Sequence, residues 1–84
     1  MSKIEKLRQE LKGCPKTFDW NDIKRILSDA GYIEKRGGKT SGSRVWFSNP
    51  AAAPIVLHKP HPGNQMKSYA IDFVVDILES EGLL

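Results

Sequence analysis

The sequence predicts an α+β two-layer sandwich, a three-stranded antiparallel sheet with helices packed on one face. Three observations predict it. Apolar residues recur every three or four positions in residues 4–11, 23–30 and 70–78, the period of an amphipathic helix. Between the second and third of these lie three short segments, 32–36, 44–48 and 55–58, that read as strands separated by turns rich in Gly, Ser and Pro. Consecutive strands joined by short turns favour an antiparallel meander, and the flanking helices then cover one sheet face and leave the other wet.

The first helix is expected to open on Ser2-Lys3-Ile4-Glu5, where the serine oxygen accepts an N–H and Glu5 reaches back. Ile4, Leu7 and Leu11 form its apolar stripe, Lys12 suits the negative end of its dipole, and Gly13 followed by Pro15 ends it, with Gly13 taking the left-handed conformation. Cys14 has no cysteine partner and reads as a small apolar filler. Asp19 is a good N-cap for a second helix over about Trp20–Ala30, with Asp22 in its first turn and Gly31 at its end. Ile23, Ile26, Leu27 and Ala30 are its core stripe, and Trp20 is expected to anchor the core.

Tyr32 to Arg36 forms the first expected strand, turning at Gly37-Gly38. In the second, Ser43, Val45 and Phe47 alternate with Arg44, Trp46 and Ser48, so helices covering Val45 and Phe47 would leave Arg44 and Trp46 facing outward together. After a Pro/Ala loop the third strand, Ile55–His58, sets Ile55 and Leu57 on one face and Val56 and His58 on the other, and Pro60 ends it for want of an N–H. Ser68 is expected to cap a last helix with Asp72 in its first turns and a broad apolar face of Ala70, Ile71, Phe73, Val74, Ile77 and Leu78. Gly82 ends it, and Leu83-Leu84 either pack back or fray.

With 84 residues, 39% of them hydrophobic and 27% charged, the chain has the composition of one ordinary globular domain with a small core. No apolar run approaches the roughly 20 residues that span a bilayer, so no membrane is expected as a partner, and a cytoplasmic location is the expectation. The net charge of +3 conceals a strong asymmetry. Residues 33–67 carry six Lys/Arg against one Asp/Glu, whereas residues 68–84 carry four Asp/Glu and no Lys or Arg. A local cationic excess of that size either solvates a face or attracts a polyanion, of which nucleic acid is the commonest.

The chemistry-bearing residues gather in the same basic stretch, Gly37 to Met66, which also holds both histidines, His58 and His61. The Gly37–Gly42 turn is either a hairpin connection or a loop whose hydroxyls and N–H groups contact phosphate. Lys35, Arg36, Lys39, Arg44, Lys59 and Lys67 would supply charge and Ser41 and Ser43 hydroxyls, while Trp46 would either stack on a base or anchor a protein partner. A zinc site on His58, His61 and Cys14 would draw on distant segments and is a poor signal, and Walker-loop spacing, a Ser/His/Asp order and paired carboxylates are missing from this stretch, so no metal and no small-molecule cofactor is expected.

Three motifs, Gly37-Gly38-Lys39-Thr40-Ser41-Gly42-Ser43-Arg44-Val45, Leu57-His58-Lys59-Pro60-His61-Pro62-Gly63-Asn64 with Tyr69 after it, and the terminal Leu78 to Gly82, together resemble the HicA family of toxins from bacterial toxin-antitoxin systems. The resemblance extends to the N-terminal helix and to Phe18-Asp19-Trp20, and so covers nearly the whole chain. It implies a double-stranded-RNA-binding-like α-β-β-β-α fold over residues 17–84, with residues 1–16 as an extra helix and linker. It also implies an endoribonuclease acting on mRNA and a HicB-type antitoxin that covers the active face.

One position departs from that pattern. Family members typically read Gly-Ser-His at the start of the second strand, the histidine being catalytic, whereas this chain reads Gly42-Ser43-Arg44. Cleaving RNA without metal needs a group that takes the 2′-hydroxyl proton, which an imidazole titrating at about pH 6.5 does well. A guanidinium stays charged and can stabilise only the anionic phosphorane. The catalytic candidates are therefore His58 and His61 for proton transfer, beside Arg44 for electrostatics. Two functional readings follow: a metal-independent mRNA endonuclease, or a non-catalytic module that binds RNA or antitoxin.

Overall fold

The computed structural model describes residues 3–36, 44–60 and 63–84, and of Arg36 the backbone only. Eight elements follow in order: α1 (Lys3–Lys12), β1 (Thr17–Asp19), α2 (Trp20–Asp29), β2 (Ile33–Arg36), β3 (Arg44–Asn49), β4 (Ala52–His58), β5 (Gln65–Lys67) and α3 (Ser68–Ser80). The α+β sandwich is as expected: β2, β3 and β4 form an antiparallel sheet in that order, and buried side chains of the three helices share one cluster with Phe47, Ile55 and Leu57. With α1 and the two shortest strands set aside, the order is α-β-β-β-α.

Alternation along the strands sets the two faces. Phe47, Ile55 and Leu57 are buried, with Val45 packed against them, while Arg44, Trp46 and His58 are exposed on the other side. Trp20, 3% exposed, meets Phe47 edge-on with ring centroids 6.1 Å apart, so the start of α2 is pinned to the middle of β3. The Asp19 carboxylate accepts from the Asn21 N–H at 3.0 Å, the expected cap of α2, and Gly31 at φ +101° closes that helix.

β4 is longer than expected. The Pro/Ala stretch does not form a loop, because Ala52, Ala53 and Pro54 already belong to the strand. The register slips between Phe47 and Asn49, Phe47 pairing with Ile55 but Asn49 with Ala52, so β4 carries an extra residue there. Pro54 is tolerated at this irregularity because β4 is an edge strand and its missing N–H disrupts no further ladder. Side chains take over at Ala53: Tyr32 Oη donates to its carbonyl at 2.7 Å, and Glu81 Oε2 accepts from its N–H at 3.0 Å. Burial, then the Glu81 carboxylate, raise the Tyr32 pKa above its ordinary value and keep that hydroxyl a donor. Asn49 ties the turn to α2, its Nδ2 donating to the Ala30 carbonyl at 3.1 Å.

Several expectations are corrected. The left-handed residue after α1 is Cys14 (φ 52°), not Gly13. Cys14 is exposed rather than a core filler. Its thiol is nonetheless pushed above its ordinary pKa, first by local desolvation and then by the charge of, and hydrogen bond to, Asp72, which makes it a poor nucleophile. The N-cap of α3 is Lys67 rather than Ser68, no side chain caps that end, and the first turn holds no acidic residue. Phe73 is 45% exposed, because Ile71, Val74, Val75 and Leu78 define the buried stripe and Phe73 projects from the far side of the helix. Leu83 and Leu84 pack back on the core. The Ser2 cap and the turn at residues 37–43 lie outside the described residues.

The second sheet was not foreseen. β1 pairs antiparallel with β5, Thr17 opposite Lys67, Phe18 opposite Met66 and Asp19 opposite Gln65, and Trp20 N–H donates to the Asn64 carbonyl at 2.7 Å. Phe18 and Met66 are buried between this ribbon and the core, which fixes where α2 and α3 begin.

Phe47→Ala removes the ring that Trp20 packs against at the centre of the sheet and is expected to cost about 3–5 kcal/mol. Urea unfolding followed by tryptophan fluorescence measures it; a loss below about 1 kcal/mol would mean that the sheet and α2 are not joined there.

Candidate functional site

The exposed sheet face is built by register. β3 and β4 pair so that Arg44 lies directly opposite His58 and Trp46 opposite Val56, and β2 adds Lys35 beside Trp46. Directly opposed side chains on one face have Cβ atoms about 5 Å apart, so the Arg44 guanidinium and the His58 imidazole share one patch of surface. Trp46 is 44% exposed on the same face, with Lys35 on one flank. Arg36 pairs with Val45 instead, one residue out of step with the row that holds Lys35 and Trp46.

Beyond the end of β4 the surface deepens into a cleft of about 330 Å³, bordered by His58, Lys59, Pro60, Gln65, Met66, Lys67, Tyr69 and Ala70. Three segments meet there: the end of β4, the short strand β5, and the first turn of α3. Lys59 and Lys67, eight residues apart in sequence, therefore face the same cavity as His58. The β1–β5 ribbon makes this possible by holding Lys67 and the start of α3 against the core through Met66.

The charges in this region are uncompensated. The ion pairs among the described residues are Arg8–Asp29 at 3.2 Å, Lys24–Glu34 at 3.5 Å and Arg25–Asp22 at 3.8 Å, all on the side of α1 and α2. Lys35, Arg44, Lys59 and Lys67 have no ion-pair partner among the described residues. The start of α3 adds to the same imbalance. A helix N-terminus presents unpaired N–H groups and partial positive charge, which a carboxylate or hydroxyl normally offsets. α2 has Asp19 for this; α3 has a lysine. An anion in the cleft would satisfy both the helix end and the lysines around it.

Of the residues singled out from the sequence, Arg44, His58, Lys35 and Trp46 come together on the sheet face, and Lys59 and Lys67 join His58 at the cleft. Lys39, Ser41, Ser43 and His61, and with them the Gly37–Gly42 loop, lie outside the described residues. Gln65 and Tyr69 border the cleft without having been assigned a role from their own chemistry. The polar-apolar-polar run Gln65-Met66-Lys67 was the available signal for β5, but three residues are too few to distinguish a strand from a loop. No cluster of three or more His, Cys, Asp or Glu side chains occurs among the described residues.

A family model for the HicA toxin of bacterial toxin-antitoxin systems matches residues 20–72. The chain belongs to the HicA toxin family. The matched span runs from the first residue of α2 into α3 and so includes β2, β3, β4 and β5, with Arg44, His58, Lys59, Lys67 and Tyr69. α1 precedes it, though Leu7 and Leu11 of α1 belong to the same buried cluster as the matched part. No curated protein and no solved structure matches the chain. As a HicA toxin the protein has an antitoxin partner, and no helix among its described residues is long and apolar enough to cross a membrane.

Lys67→Asp places a capping carboxylate at the start of α3 and is expected to raise stability by about 1 kcal/mol while weakening retention on immobilised heparin. Urea unfolding and a salt elution profile measure the two effects; a destabilised variant would mean that the α3 N-terminus is already satisfied.

Proposed function

We propose that this HicA toxin binds mRNA on the exposed sheet face and cleft and cuts it without a metal ion. The observation that carries the proposal is the in-register pair Arg44–His58, which sets a guanidinium, suited to holding an anion, beside an imidazole, the usual side chain for general base catalysis. His58 takes the proton of a ribose 2′-hydroxyl as that oxygen attacks the adjoining phosphorus. Arg44 stabilises the anionic phosphorane in which charge accumulates. The P–O5′ bond then breaks, leaving a 2′,3′-cyclic phosphate, and the departing oxygen gains a proton, for which His61 is the second candidate. Lys59 and Lys67 hold flanking phosphates in the cleft, and Lys35 extends the cationic track past Trp46.

The Arg44 departure supports the second reading, a member that keeps RNA or antitoxin binding and has lost cleavage. In both readings the inhibitor is a HicB-type antitoxin that covers the sheet face. An acidic protein is favoured for this by the same uncompensated lysines and Arg44.

The deciding experiment incubates purified protein with an mRNA in EDTA. Wild-type protein is expected to cleave it, His58→Ala to abolish cleavage, and Arg44→Ala to slow it by about 10²–10³, the usual loss when one stabilising donor is removed. Binding of the uncleaved strand is expected to fall with salt at a logarithmic slope of about −2 to −3, corresponding to three or four phosphates contacted. Salt-sensitive binding with no cleavage by wild type would establish the second reading, and salt-independent binding would exclude an RNA site.

A further inference from the structure

Tyr69 is the most exposed of the large apolar and aromatic side chains among the described residues, at 74%. Its helix does not need it for packing, since Ile71, Val74, Val75 and Leu78 supply the buried stripe of α3. The ring nevertheless borders the cleft with His58, Lys59 and Lys67. We propose that Tyr69 is the platform on which one unpaired base of the RNA stacks, which makes the cleft a reader of single strands. The inference rests on the cleft being an RNA site.

Charge around the ring fixes the polarity of such a contact. On the cleft side are Lys59, Lys67 and the uncapped start of α3; away from the cleft are the exposed carboxylates of Asp72, which accepts from the Cys14 thiol, and Asp76. A ribose-phosphate chain is drawn to the first side and repelled from the second, so its backbone follows the lysines and its base, which is uncharged, turns toward the tyrosine. Phe73 lies one helical turn further on, flanked by Asp72 and Asp76 and absent from the cleft lining, and is therefore not a second platform for the same strand. The size of the cavity agrees with this. About 330 Å³ lies at the lower end of the roughly 300–1,000 Å³ of small-molecule sites, room for a single nucleoside unit. In A-form duplex the faces of a base are covered by its stacked neighbours, so only an unpaired, splayed base presents a face to an aromatic ring.

The test uses full-length protein and a short 2′-O-methyl oligonucleotide, which cannot undergo 2′-hydroxyl attack, as a fluorescently labelled single strand and as the duplex with its complement. Tyr69→Ala is expected to weaken single-strand binding about tenfold while leaving duplex binding unchanged, and Tyr69→Leu to weaken it similarly because its bulk lacks a π face. Tyr69→Phe is expected to bind as wild type. Single-strand affinity in Tyr69→Ala equal to that of wild type, with the salt dependence intact, would overturn the platform and leave the RNA reading standing. Equal losses on single strand and duplex would also overturn it. Failure of the wild-type protein to bind either form would bring down the RNA reading and the platform together.

Discussion

The pairing of β3 with β4 is the constraint on which the rest depends. Phe47, Ile55 and Leu57 must point into a small core, and because side chains alternate strictly along a strand, burying them turns Arg44 and His58 out to water. Register does the remainder by placing those two directly across from one another. A slip of β3 by one residue would turn that strand over, putting the Arg44 guanidinium beneath the helices and Phe47 in solvent. The hydrophobic pattern that stabilises the sheet is thus the same pattern that assembles the exposed polar pair, and neither can change without the other.

The irregular part of the hairpin is confined to the opposite end. The extra residue in β4, Pro54 beside it, and the side-chain hydrogen bonds from Tyr32 and Glu81 to Ala53 all lie near the Asn49 turn. Between Val45 and Phe47 the ladder is regular on both sides of β3. Distortion that would rotate Arg44 relative to His58 is therefore absorbed where the C-terminal end of α3 and the end of α2 clamp the turn, through Glu81 and through Asn49 to Ala30.

Much of this was legible in the residues. Helical spacing in Ile23, Ile26 and Leu27 and the Asp19 cap located α2, and alternation in Arg44 to Ser48 assigned the two sheet faces correctly. What could not be read were features that depend on contacts distant in sequence. β1 and β5 have three residues each and exist because Phe18 and Met66 meet across a separation of nearly fifty positions. Ser68 has the chemistry of a cap, yet β5 continues one residue further and puts Lys67 at that position instead. Phe73 reads as core by hydropathy, but the core already takes its quota from α3 through Val74, Val75 and Leu78. The cleft inherits this limit: Lys59 and Lys67 share it only because the unforeseen ribbon brings β5 beside the end of β4.

The arginine at position 44 looks like a loss when judged by residue identity alone. In the paired sheet the question is one of place rather than of strand, since a cross-strand partner lies about as close to a given point on the surface as the residue it replaces. An imidazole at position 58 therefore faces nearly the same volume of solvent as one at position 44 would. Arginine then adds what histidine supplies only when protonated, a charge that persists at every physiological pH. On the proposed reading the two tasks, moving a proton and holding an anion, are divided between opposite strands instead of being carried by one side chain. Such a division works only while the ladder keeps positions 44 and 58 in register, which joins the chemistry of the site to the burial of Phe47, Ile55 and Leu57.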